Sequence, residues 1–368
     1  MRSKLGPLII GLGCICACTA VVAASETRAY AVSWFAVAGY YDPTGKDCPD
    51  GVNAHEITLY RAELQRLGYS EHDVQRLVAE LGDYGPEFVS ILDNRGRIDG
   101  KPVNDFANPE SVPDPHLKLV QGHFGRGFNL DGQVKPSDFV DPDTGEKGVD
   151  NNLYRVIGCS AGTKTVKPPD RDAVSSTWQQ FLIEQAPAQL IEITGAESLD
   201  KDQDNVVIGY YTSLDHLTRS PSGGAAAGMS MRIDPNARWH NAVHGKIRDG
   251  VLTTDVFEIT LLDDPFRMPY YHFRQARLRL RLMPDGTLKG MLGGYLDWLP
   301  FYCSVAAMGE SYELVVASVP AVYYALKRLA EAYPDSSTGQ NTAISSAYEI
   351  EAVPAIVLHE QNPREIRR

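Results

Sequence analysis

The chain has 368 residues, 43% of them hydrophobic and 22% charged, with 18 Tyr and 11 Phe. That composition belongs to a folded globular protein long enough for more than one domain, and it excludes disordered, collagenous and coiled-coil readings. Lys and Arg number 35 against 47 Asp and Glu, a formal net charge of −12 at pH 7, which sets the chain against a nucleic acid or an anionic membrane surface as its main partner.

The N-terminus carries Arg2 and Lys4, then an apolar run over 8–24 ending in Val22, Ala23 and Ala24 ahead of polar Ser25 and Glu26. This is the pattern of a secretory signal peptide over 1–24, and it predicts export to the periplasm or the extracellular space with no transmembrane segment left after removal. Ala17 before Cys18, with Ile15 upstream, gives the alternative of a lipid anchor at Cys18. The residues after Cys18 are apolar where a lipoprotein turns polar, which favours cleavage. Cys14, Cys16 and Cys18 leave with the signal, so Cys48, Cys159 and Cys303 remain. Outside the cytosol two of these pair, and Cys48–Cys159 is the preferred bridge.

In chain order, Ile57, Tyr60, Leu64 and Leu67 recur at helical spacing and stop at Gly68. Ser70 and Asp73 then cap a second helix carrying Val74, Leu77, Val78 and Leu81. The negative charge argues for a packed helical hairpin rather than a DNA-reading one. Residues 83–172 are rich in Pro and Gly, anchored by Phe88, Phe106, Phe124, Phe128, Phe139 and Tyr154, and predict ordered irregular structure. From Gln189 onward short alternating runs at 190–194, 206–211, 228–232, 242–247, 251–262 and 277–282 predict strands, with a hairpin turn at 283–288. Ser318 and Pro320 open a last helix bearing Val322, Leu326 and Leu329. The expected class is α+β: a signal at 1–24, a helical hairpin and loop-rich region at 25–172, an antiparallel sandwich or open barrel at 173–310, and a C-terminal helix and tail at 311–368.

Three constellations bear on chemistry. Gly158, Ser160 and Gly162 match G-x-S-x-G after a strand-like run at 153–157, but the helix that a nucleophile elbow needs after its serine is replaced by a segment ending in Pro168 and Pro169. His240 and His244 share a face on a strand or a helix and are candidate metal ligands, with Asp215, His216, His272 and Glu258 as completing groups if the fold brings them close. Asp200, Asp202 and Asp204 alternate as in a calcium loop, though Tyr211 stands where its closing Glu would be, and Asp141, Asp143 and Asp150 form a second oxygen-rich loop. The second loop echoes Asp42, Pro43, Thr44, Gly45 and Lys46. Calcium is the expected cofactor, against ordinary Asp turns satisfied by their own backbone.

The stretches Gly127-Phe128-Asn129-Leu130-Asp131-Gly132 and Gly148-Val149-Asp150-Asn151-Asn152-Leu153-Tyr154-Arg155 resemble segments of uncharacterised secreted bacterial proteins. The resemblance implies export and no activity. With neither G-x-G-x-x-G nor a P-loop present, the expected function is an exported structural or binding protein of unknown partner, with a secreted hydrolase using Ser160 or His240 and His244 as the alternative.

Overall fold

The computed structural model describes residues 25–53, 56–79, 95–262, 270–310 and 318–359. The signal segment 1–24, with the lipid-anchor position Cys18, lies outside them.

Strand β1 (Glu26–Val37) leads into the hairpin of α1 (Glu56–Arg66) and α2 (Glu71–Ala79). Ser70 Oγ accepts from the Asp73 N–H as the α2 cap, and Tyr60, Leu64, Val74 and Leu77 face the core. Only short ladders follow: β2 (Gly96–Ile98) with β3 (Lys101–Val103), and β4 (Phe139–Val140) with β5 (Lys147–Val149). Residues 153–157, expected as strand, form helix α3 (Asn152–Ile157), because the Asn151 side chain caps it by accepting from the Tyr154 N–H. Helix α4 (Ala173–Glu184), capped by Asp172, packs Trp178 and Leu182 against the sheet.

Then the strands accumulate: β6 (Pro187–Gly195), β7 (Gln203–His216), β8 (Met229–Arg232), β9 (His240–Arg248), β10 (Val251–Thr254), β11 (Phe257–Leu262), β12 (Tyr270–Leu282) and β13 (Leu288–Asp297). Helices α5 (Trp298–Glu310) and α6 (Val319–Leu329) separate these from β14 (Ala332–Pro334) and β15 (Asn341–Leu358). The main sheet runs β1-β6-β7-β9-β10-β12-β13-β15, and β15 also pairs antiparallel with β1, from Ala29 opposite Ala355 to Val37 opposite Tyr348. The result is a closed eight-stranded antiparallel barrel rather than a sandwich or an open one. Residues 25–172 contribute its first strand, and 311–368, expected as helix and tail, contribute its last. An 18-residue strand has length enough to satisfy two neighbours, and closure leaves neither edge bare.

Alternation decides what fills the barrel. On β9, Asn241, Val243 and Ile247 are buried while His240, Ala242, His244, Lys246 and Arg248 are exposed. Inside, Phe35 stacks on Tyr348 with ring centres 4.7 Å apart, and Tyr271 and Phe273 close around them. Tyr210 donates to Gln189 Oε1 at 2.7 Å, so this buried polar pair satisfies itself. Where β11 stands beside β9, the Asn241 side chain acts as a strand amide, exchanging 3.0 Å bonds with the N–H and C=O of Thr260. The described residues that point inward pack against one another as a core of side chains.

Candidate functional site

Strand β12 turns Tyr271, Phe273, Leu278 and Leu280 inward and His272, Arg274, Arg277, Arg279 and Arg281 outward. A bulge between Arg274 and Arg277, with Gln275 at φ 51°, keeps the basic residues on one face by adding a residue to the strand.

At one end of this row, His272 lies between two carboxylates. Its Nδ1 is 3.0 Å from Asp297 Oδ2 on β13, and its Nε2 is 2.6 Å from Glu258 Oε1 on β11. Arg274 also holds Asp297, touches Thr342 Oγ1 at 3.3 Å and lies 3.9 Å over the Tyr333 ring. An imidazole with an acceptor at each nitrogen is satisfied only when both carry protons. The hydrogen bond to Asp297 therefore raises the His272 pKa, and this with the Glu258 bond outweighs burial, which lowers it. Burial pushes the Asp297 carboxyl up, but the His272 bond and the Arg274 charge leave it lowered overall. The trio brackets three adjacent strands. With both ring nitrogens engaged, His272 has no free lone pair for a metal or a substrate.

Further along, Arg277 donates to the carbonyls of Asn129 at 2.5 Å and Leu130 at 3.2 Å. Arg279 reaches Asp141 at 3.1 Å, Glu146 at 3.0 Å and the Gly127 carbonyl at 3.1 Å, with Phe128 against its guanidinium. Phe128 seats on the outer wall at Gly293, where a Cβ would stand 2.2 Å from its ring. The loop-rich region is thus clamped to the barrel by arginine.

The aspartates expected to bind calcium each have a protein partner in the structure. Asp141 is buried and accepts from the N–H groups of Asp143 and Thr144 as well as from Arg279. Asp143 pairs with Arg126 at 2.9 Å, and Asp150 accepts from Leu130 N–H at 2.8 Å. Asp200 pairs with Arg28 at 2.9 Å, Asp202 accepts from Asp249 N–H at 2.9 Å, and Asp204 pairs with Arg248. Among the described residues no group of three or more His, Cys, Asp or Glu is placed to hold a metal ion.

Ser160 is buried in a turn after α3, and Asn53 Nδ2 lies 3.3 Å from its Oγ. The helix precedes this serine, whereas an elbow needs it to follow. His240 and His244 do share the outer face of β9, but His240 Nε2 lies 2.5 Å from the Asp234 carbonyl, His216 is at the Ala186 carbonyl and Asp215 holds Arg232. Of that set, the fold brings together His272 and Glu258. Asp297 and the arginine row escaped the sequence reading, although Arg at 274, 277, 279 and 281 beside acid-rich loops at 138–150 was its visible signal.

The loops are locked further by a buried Cys48–Cys159 disulfide, Cα atoms 5.7 Å apart, while Cys303 is free and exposed. No helix among the described residues is long and apolar enough to cross a membrane. No protein-family model, no curated protein and no solved structure matches the chain.

Proposed function

We propose that this is an exported structural or binding protein whose barrel serves as a rigid support and whose outer loops meet the partner. The observation that carries the reading is the division of labour in the barrel: its interior is filled by its own side chains, and its outward arginines are spent fixing a polar, irregular surface. Loops held on a rigid scaffold are the usual place for recognition. The disulfide and the signal-like N-terminus support export. Calcium enters the proposal through the spacing of the aspartates in the sequence; in the structure each of the six already has a partner.

The competing reading is a secreted hydrolase working through Ser160 or through His240 and His244. The mature protein assayed on chromogenic esters, glycosides and phosphoesters is expected to show no turnover above that of Ser160→Ala and of a His240→Ala/His244→Ala double variant. Turnover that either variant abolishes, with its melting midpoint unchanged, overturns the binding reading. Mass spectrometry of the exported protein should find an N-terminus near Ser25, and an intact Met1 would overturn the export half.

A further inference from the structure

An open groove of about 510 Å³ lies along residues 116–121, bounded by Asp50 and Arg155. Its apolar lining comes from Leu117 and Val120, both buried, and from half-buried Leu119. Two cations line it. Lys118 Nζ donates to the Val52 carbonyl at 3.0 Å, and the Arg155 guanidinium donates to Asn152 Oδ1, the Val120 carbonyl and the Ser137 carbonyl. Among the described residues no carboxylate pairs with either.

On a chain with 47 acidic side chains that is an unusual position for two cations. Asp138 and Glu331 act on Arg155 at longer range, His116 at the rim is 3.5 Å from Asp114, and Asp50 in the lining is taken by Gln121 Nε2 at 2.7 Å. The Arg155 guanidinium also lies 4.0 Å over the Phe139 ring, and with three of its five N–H groups engaged it keeps its charge and two donors without an ion-pair partner in contact. The wall is also set before any ligand arrives. Asn53 clamps Lys118 by accepting its N–H at 2.8 Å and donating to its carbonyl at 2.9 Å. Gln121 N–H bonds the Asp47 carbonyl, Val120 N–H bonds the Arg155 carbonyl, and the Cys48–Cys159 bridge ties the loops behind them.

We propose that this groove binds an organic anion, a carboxylate or phosphate group on an apolar body, with Lys118 and Arg155 meeting the charge and half-buried Leu119 with the edge of Leu117 meeting the body. Charge-assisted bonds set orientation and an apolar lining supplies area, the division of roles expected in a small-molecule site. The inference rests on the reading of the chain as a binding protein.

Calorimetric titration of the mature protein with octanoate, octyl phosphate, inorganic phosphate and octanol tests it. Saturable one-to-one binding of octanoate or octyl phosphate is expected, and whichever binds more tightly identifies the head group. Octanol and inorganic phosphate should each bind at least about tenfold more weakly, and Lys118→Gln should lose about tenfold in affinity for the anion, as expected for one charge-assisted bond. Lys118 is exposed, so its variant should keep the wild-type melting midpoint. Arg155→Lys, which keeps the charge and loses the fork, should weaken binding as well. Absence of saturable heat with both organic anions at millimolar concentration, octanol binding as tightly as octanoate, or wild-type affinity in Lys118→Gln would each overturn the site. Such a failure leaves the exported-scaffold reading intact, because that reading is decided by the turnover assay and the mature N-terminus.

Discussion

Arg279 on the outer wall of β12 holds the wholly buried carboxylate of Asp141 at 3.1 Å, from 138 residues away in sequence. Breaking a buried pair by removing one partner leaves an uncompensated charge and costs about 3–5 kcal/mol. Arg279→Met should therefore lower unfolding stability by about 3 kcal/mol in a denaturant titration, and adding Asp141→Asn to it should recover part of the loss. A loss below about 1 kcal/mol, the level of an exposed pair, would mean that the loop is held elsewhere.

The same contact bears on calcium. Asp141 is held by Arg279 and Asp143 by Arg126, so the proposed calcium must enter beside these arginines, and the wild-type melting midpoint is expected to be higher in millimolar Ca²⁺ than in EDTA. A site present only in the folded state would add about 2.7 kcal/mol at a hundred times its Kd of free Ca²⁺. The rise should shrink in Asp143→Asn and in Asp202→Asn, and equal midpoints in EDTA and calcium would remove the metal from the proposal.

His272 makes stability depend on pH. Its folded pKa is raised from 6.5, first by Asp297, so the bracket contributes in full below the unfolded value and its contribution is lost as pH rises through the folded one. Wild type should exceed His272→Gln by about 1–2 kcal/mol at pH 6, a charged hydrogen bond's worth. The gap should narrow as pH climbs past 6.5. Unfolding curves for both proteins at pH 6, 7 and 8 measure it, and a gap that stays constant across that range would show that His272 does not titrate there.

Cys48 and Cys159 are separated by 111 residues, and cross-linking a loop of that length restricts the unfolded chain by an amount worth about 4–5 kcal/mol in the chain-entropy account. The Cys48→Ser/Cys159→Ser double variant should melt well below wild type, and non-reducing peptide mapping should recover the Cys48–Cys159 pair with Cys303 alkylatable. A bridge containing Cys303 would contradict the geometry.

Much of the barrel was legible because period-two alternation survives in short strands: the runs at 190–194, 206–211 and 242–247 all lie inside β6, β7 and β9. The run at 153–157 misled because so few apolar residues fit a strand and a helix equally, and the Asn151 cap that decides for helix lies just outside it. Closure was hidden for another reason, since the pairing of β1 with β15 spans most of the sequence and leaves no local mark. His272 and Glu258 were visible as titratable residues, but their meeting depends on the β11–β12 register, and Asp297 enters only through the β12–β13 register.

The seam where Glu26–Val37 meets Asn341–Leu358 is the longest closure in sequence that the barrel must make. A ring sealed by strands from opposite ends of the barrel sequence cannot be finished by zipping from either side; its last ladder waits on contacts separated by more than 300 residues. Because Ala29 lies opposite Ala355, a short linker from 358 to 26 would recast the seam as a hairpin, and opening the chain in the exposed turn at 284–286 would leave every other ladder in place. In such a permutant the slowest joint of the native chain becomes a local turn, and the delay passes to β12 and β13.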